Sequence, residues 1–225
     1  MTIIPKHLGV ILDGNRRWAE ERGLPAIMGH RRGAKKSDEL IKWAKERGIK
    51  TLTLFVFSTE NWKRPKREVD FLMGLVKKKI NSNLAKINQE KIRIKIIGQK
   101  EKLDKNLQES IERAEEATKN NQAINVNFAL SYGGRAEIVE AIKNIIKTKV
   151  APEKIDEKTV SQNLWTSDLD LLIRTGKEQR ISNFLIWQAA YSELYFCPKY
   201  WPDFCEHDLD EALDSYSRRQ RRLGS

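Results

Sequence analysis

Cysteine is nearly absent from this chain: Cys197 and Cys205 are the only two, and no second pair stands near them to complete a zinc site. Two thiols cannot build a disulfide framework, so they are read as structural residues of a protein in a reduced compartment. There is no Gly-Lys-Ser or Gly-Lys-Thr phosphate loop and no Gly-x-Gly-x-x-Gly fingerprint, which removes the usual sequence support for a kinase or a dehydrogenase. No apolar run approaches the ~18 residues that a transmembrane helix requires. The start, Met1-Thr2-Ile3-Ile4-Pro5-Lys6-His7, has no basic segment leading into an apolar stretch. A cytoplasmic location is expected, with at most a transient, peripheral contact with a membrane surface. Internal repeats and low-complexity segments are missing as well.

What the chain does carry is a core and a surplus of positive charge. Of its 225 residues 40% are hydrophobic, enough to bury one substantial core, so a single domain over 1–225 is expected. The 42 Lys and Arg against 31 Asp and Glu leave a formal +11, which implies an anionic partner: nucleic acid, anionic lipid head groups or phosphorylated small molecules. Composition does not choose among them.

Six apolar runs have strand character: Leu8 to Leu12, Leu52 to Phe57, Ile92 to Ile97, Ile124 to Leu130, Leu169 to Ile173 and the shorter Leu194 to Phe196. The first, second and fifth are nearly continuous, which predicts central strands. The third and fourth alternate apolar with polar, which predicts more peripheral ones. Between them the apolar period becomes helical, in stripes Leu40-Ile41-Ala44, Val69-Leu72-Met73-Val76-Ile80, Leu103-Leu107-Ile111-Ala114 and Ile138-Val139-Ile142-Ile145-Ile146. The stretch from Lys147 to Lys158 reads as a loop. Alternation of strand and helix predicts an α/β domain with a six-stranded, mostly parallel sheet flanked by helices.

Open parallel sheets bind ligands outside the carboxyl ends of their strands. Those positions hold Asp13-Gly14-Asn15-Arg16-Arg17, Ser58-Thr59-Glu60-Asn61-Trp62, Ser131-Tyr132-Gly133-Gly134-Arg135 and Arg174-Thr175-Gly176. At Asp13-Gly14-Asn15-Arg16-Arg17-Trp18 a strand hands over to a helix, so backbone N–H groups and two guanidinium groups can face one phosphate group. A lone carboxylate among donors suits Mg²⁺, whose octahedron substrate phosphates and waters complete; the plainer alternative is that Asp13 caps the helix. Arg174, Arg180 and the Ser182 hydroxyl offer the fork-shaped donors that a second diphosphate needs.

These residues bring a family into view. Asp13 to Ala19, Gly29-His30, Phe57 to Pro65, Tyr132 to Arg135, Asp170 to Gly176, Arg180 to Gln188, Ala190 to Phe196 and Trp201 to Phe204 resemble, in order and over almost the whole chain, the motifs of the cis-prenyltransferases. The resemblance implies a homodimer that depends on Mg²⁺. It further implies condensation of isopentenyl diphosphate onto an allylic diphosphate, with farnesyl diphosphate the expected primer, giving a long-chain polyprenyl diphosphate such as undecaprenyl diphosphate, the precursor of a cell-wall lipid carrier. By the same resemblance Asp13 binds the metal, with Glu193 as an additional contact. Gly14, Asn15, Arg16, Arg17 and His30 surround the allylic diphosphate, and Trp18, Ser58, Glu60, Trp62 and Arg64 belong to the substrate site. Arg174, Arg180 and Ser182 hold isopentenyl diphosphate, and Arg222-Leu223-Gly224 reaches across the dimer. The base is either Asn61, with Ser58 nearby, or a diphosphate oxygen. Val56, Leu72, Met73, Val76, Leu84 and Ile87 are expected either to line an apolar tunnel for the growing chain or to form ordinary core.

The chain departs from the family pattern at four places: Ala26 stands where an arginine is common, Ser131 where asparagine is usual, Lys177 at a glycine position, and Gln179 where some relatives have histidine. Two other readings compete, a non-catalytic subunit of a heteromeric prenyltransferase and a basic nucleic-acid-binding domain. The first conflicts with the intact Asp13-Gly14-Asn15 motif, and the second with the absence of any recognition module.

Overall fold

Leu8 and Val10 on one face of the first strand and Ile11 on the other are shut off from solvent, and this burial fixes the centre of the fold. The computed structural model describes residues 3–219. Six strands, β1 (His7–Ile11), β2 (Thr51–Ser58), β3 (Ile92–Ile97), β4 (Ile124–Tyr132), β5 (Leu171–Arg174) and β6 (Glu193–Phe196), form one sheet in the order β3-β4-β2-β1-β5-β6. All five pairings are parallel. The continuous runs are central as expected: β1 is buried at every position, whereas β3 alternates along one edge. Full burial of a Leu or Val side chain contributes roughly 1.5–3 kcal/mol, so the central strands dominate the stabilisation.

The α-helices between the strands are α1 (Asn15–Glu20), α2 (Ala26–Glu46), α3 (Lys66–Gln89), α4 (Lys105–Thr118), α5 (Gly134–Lys147) and α6 (Glu157–Asn163), and α7 (Glu206–Arg218) follows β6. Leu40 and Ala44 of α2, Val69 and Ile80 of α3 and Leu107, Ile111 and Ala114 of α4 bury the stripes that the periodicity picked out. On α5 the outcome differs. Ala141 and Ile145 are buried, while Val139, Ile142 and Ile146 are 50%, 47% and 69% exposed. Periodicity shows that a helix face is apolar without showing what covers it.

Strand order also locates the crevice. From β1 the chain moves to β2 on one side, and only much later does β5 pair with β1 on the other. That reversal is the topological switch point, where the carboxyl ends of β1 and β5 leave a gap between diverging connections. Asp13 follows one of these strands and Arg174 ends the other.

Candidate active site

Arg174 is the most buried charge at the switch point, with only 5% of the residue exposed. Its Nη2 donates to Asp13 Oδ2 at 2.8 Å and its Nη1 to Ser182 Oγ at 2.7 Å. Nη1 also donates to the Arg180 carbonyl, and the buried Nε has no partner among the described residues. Asp13 does not cap α1. Its Oδ1 accepts the Gly14 N–H at 2.6 Å and Arg17 Nη2 at 3.2 Å, so the carboxylate lies between two guanidinium groups with 29% of its side chain exposed. Thr175 locks the same turn from below: its buried Oγ1 accepts the Asp13 N–H at 3.0 Å and donates to the Asp13 carbonyl at 2.8 Å.

Gly14 sits at φ +99°, and a Cβ there would lie 2.5 Å from the Tyr200 ring, so only glycine satisfies both the backbone and the packing. Asn15 anchors α1 by donating to the Leu12 carbonyl at 3.0 Å. Gly29 and Gly33 let α2 close on Asn15, since a Cβ at 29 would lie 1.9 Å from the Asn15 carbonyl oxygen. The Asn15 Oδ1 is buried without a partner among the described residues. His30, on the same helix, lies with Nε2 3.5 Å from Glu68, which Arg64 also pairs at 2.9 Å. Burial pushes the His30 imidazole below its ordinary value, so it is neutral at pH 7.

The second cluster hangs on the irregular segment after β5. Gly176, Lys177, Ser182, Asn183 and Leu185 all have positive φ, an arrangement that persists only when neighbours enforce it. Glu178 accepts from Arg17 at 3.1 Å and from Arg180 at 2.5 Å, tying the two clusters together. Asn183 donates to Glu60 at 3.2 Å and accepts the Arg135 N–H at 3.0 Å, joining the segment to the ends of β2 and β4. Burial raises the Glu60 carboxyl, but the hydrogen bonds it accepts outweigh that effect and hold it below the usual carboxylate range.

Other expected residues have partners of their own. The Asn61 Oδ1 accepts the Ser58 N–H at 3.1 Å, bracing the turn that follows β2. Trp62 donates to Ser131 Oγ at 2.9 Å, and Ser131 has φ +51°, a conformation that asparagine tolerates better than serine. Trp18 donates to Asp203 at 2.7 Å and stacks under Arg22, so it clamps the turn at Trp201. Arg16 is paired with Glu20 on the exposed side of α1. Glu193 is not brought to Asp13. It opens β6 beside Leu171, three register positions before the row of Ile11, Arg174 and Phe196, roughly 10 Å back along the strands. There it pairs with Arg219 at 2.5 Å, an arrangement that satisfies its charge within the chain. Arg222 and Gly224 lie outside the described residues.

Sequence reasoning missed Glu178, Asn183, Thr175 and Tyr200. Each lies inside or beside a matched motif, but its role depends on partners remote in sequence. Tyr200, for example, packs on Gly14 and donates from its hydroxyl to Glu21 at 2.5 Å.

Beside the first cluster a cavity of about 390 Å³ opens at Leu12, Asn15 and His30 and runs between the sheet and α3 to Ile87, Glu90 and Ile92. Val56, Leu72, Met73 and Val76 line it, whereas Leu84 packs against the core outside its wall. No helix among the described residues is long and apolar enough to cross a membrane.

Two cationic clusters at the switch point of a parallel α/β sheet, next to an apolar cavity, define a protein built to hold anionic groups that carry hydrophobic tails. Residues 11–224 match the family described as "Putative undecaprenyl diphosphate synthase". The chain is 48% identical to an isoprenyl transferase of Thermotoga maritima, covering 98% of this chain and 97% of that one. With an Aquifex aeolicus isoprenyl transferase it shares 46% identity over 98% and 96%. It superposes on lavandulyl diphosphate synthase from Lavandula x intermedia, solved in complex with dimethylallyl diphosphate, with a TM-score of 0.94, 39% identity and 99% coverage of both chains. A "probable undecaprenyl diphosphate synthase" from Campylobacter jejuni matches with a TM-score of 0.86 and 36% identity over 100% of both chains. The chain therefore belongs to the undecaprenyl diphosphate synthase family of cis-prenyltransferases and is a transferase of prenyl groups.

Proposed function

We infer that the protein extends an allylic diphosphate, with farnesyl diphosphate as primer, by successive condensation with isopentenyl diphosphate to a long-chain cis-polyprenyl diphosphate such as undecaprenyl diphosphate. The observation that carries this reading is the pairing of two cation clusters, joined through Asp13 and Glu178, with an apolar cavity that begins at Asn15 and His30. Two diphosphates account for two clusters, and a growing hydrocarbon accounts for the cavity. The dimethylallyl diphosphate in the Lavandula relative, itself an allylic diphosphate, supports the assignment.

The Gly14 and Asn15 backbone, Arg17 and His30 hold the allylic diphosphate, while Arg174, Arg180 and Ser182 hold isopentenyl diphosphate. Departure of the allylic diphosphate leaves a delocalised cation, the double bond of isopentenyl diphosphate attacks it, and a proton then leaves. The guanidinium groups of Arg17 and Arg174 stabilise charge where it accumulates in the transition state. The part-exposed Asp13 carboxylate, lying between the two cationic clusters, would hold Mg²⁺, a hard ion that one or two carboxylates suffice to bind beside substrate phosphates. The positive charge of an ion held there would offset charge on the departing diphosphate. Incoming phosphates draw Arg17 and Arg174 away from Asp13, which frees its oxygens. Because Asn61 is engaged with Ser58, a diphosphate oxygen is the better proton acceptor.

The exposed stripe Val139, Ile142 and Ile146 on α5 supports a homodimer, because an apolar face of this kind is covered in stable assemblies. A cytoplasmic enzyme that releases its product at a membrane surface completes the reading. The intact Asp13 and Arg174 network argues against a non-catalytic subunit. Incubating the purified protein with radiolabelled isopentenyl diphosphate, farnesyl diphosphate and Mg²⁺ should give a ladder of polyprenyl products, and Val76→Trp should shorten it. No polyprenyl product beside an active control enzyme would contradict the proposal.

A further inference from the structure

Lys177 is held differently from the other cations of the site. Its backbone has φ +66°, the left-handed region that glycine adopts freely and a lysine adopts only under constraint. Its Nζ lies 4.8 Å above the centre of the Tyr200 ring, and the Arg17 guanidinium lies 5.5 Å from the same centre. That ring also packs on Gly14, so Lys177, Arg17 and the Gly14 backbone meet around a single aromatic ring.

The cations of the cleft differ in what holds them. Arg17 is bonded to Asp13 and Glu178, Arg174 to Asp13, and Arg180 to Glu178. Lys177 has no carboxylate partner among the described residues and rests on the aromatic face alone. A cation held only by a ring is held weakly, whereas a phosphate oxygen offers charge-assisted hydrogen bonds that are shorter and stronger. Lysine suits such a move, since its ammonium is a compact charge on a flexible four-carbon stem. The neighbouring backbone confirms how close this segment lies to the first cluster: a Cβ at Gly176 would come within 3.0 Å of both Arg17 and Asp13.

We propose that Lys177 is a substrate-binding residue whose ammonium rests on Tyr200 in the free protein and moves onto the diphosphate of the allylic primer when that group settles against Arg17 and Gly14. Lys177 turns the three cations opposing Asp13 and Glu178 into four, so it doubles the positive surplus that the primer meets. The proposal rests on the functional reading above for the identity of the primer.

The test compares wild-type protein with Lys177→Gly, Lys177→Met and Lys177→Arg by steady-state kinetics in each substrate and by thermal melting. Removing the ammonium should raise KM for farnesyl diphosphate about tenfold, the loss of one charged contact, in both the Gly and Met variants. KM for isopentenyl diphosphate should stay within about twofold, and Lys177→Arg should retain most of the primer affinity. Lys177→Gly should also melt at a higher temperature than wild type, because glycine relieves the positive φ. A purely structural lysine would not give higher stability together with weaker primer binding. Inorganic pyrophosphate titrated into each protein by calorimetry provides a readout independent of turnover and should bind more weakly to both the Gly and Met variants. An unchanged primer KM with wild-type turnover intact, or a rise in KM for isopentenyl diphosphate instead, would overturn the inference alone. Absence of prenyl transfer by wild type would overturn the functional reading and this inference with it.

Discussion

The two cation clusters perform similar tasks with different materials. Around Asp13 the work is done by packed backbone: Gly14 turns against Tyr200, and Gly29 and Gly33 bring α2 onto Asn15 with almost no space between them. Between β5 and β6 there is no helix, and the segment from Gly176 to Leu185, with five positive-φ residues, is pinned by one buried guanidinium. Close packing holds the first cluster whether or not any one side chain is charged. The second depends on Arg174, whose loss removes one of the two guanidinium partners of Asp13 together with the donor to Ser182 and the Arg180 carbonyl.

Replacing that guanidinium should therefore break the comparison most severely. Arg174→Met removes one of the two guanidinium groups on the part-exposed Asp13 carboxylate, together with the hydrogen bonds to Ser182 and the Arg180 carbonyl, and should cost about 1–3 kcal/mol of stability. It should also lower turnover at least a hundredfold, read by chemical denaturation and by prenyl transfer. Stability and turnover close to wild type would show that the segment after β5 holds its shape without the arginine.

A smaller effect sharpens the other side. His30 belongs to the packed cluster, and burial keeps its folded-state pKa below the ordinary 6.5. The folded protein then binds fewer protons than the unfolded chain below that pH, so stability falls as the solution is acidified. His7, buried at the start of β1, acts in the same direction. The difference in unfolding free energy between wild type and His30→Gln should change by up to about 1.4 kcal/mol per pH unit as pH falls below 6.5. A difference that is flat from pH 7 to pH 5 would mean that His30 is not buried as the structure has it.

Much of this was legible in the chain itself, for a physical reason. Continuous apolar runs such as Leu8 to Leu12 have only one economical home, the middle of a parallel sheet, and the polar residues that follow them must then stand at its carboxyl end. Asp13, Arg174 and Ser182 could be placed on that argument and do meet. Contacts spanning most of the chain could not be read in the same way. The bridge of Glu178 between Arg17 and Arg180, and the seat of Tyr200 on Gly14, depend on how distant segments fold back. Glu193 carried a motif match but opens an edge strand away from Asp13, because position along a strand, not proximity to a motif, decides which end of the sheet a residue reaches. The stripe on α5 shows a related limit: Ile142 and Ile146 satisfy the helical period yet remain exposed.

The central claim is that each cluster serves its own diphosphate, and the most direct measurement is the Michaelis constant for both substrates in Arg17→Gln and Arg180→Gln. The account predicts that Arg17→Gln raises KM for the allylic primer about tenfold, with isopentenyl diphosphate little affected, and that Arg180→Gln does the reverse. If both substitutions raise KM for the same substrate, the two clusters form a single site and the account is wrong.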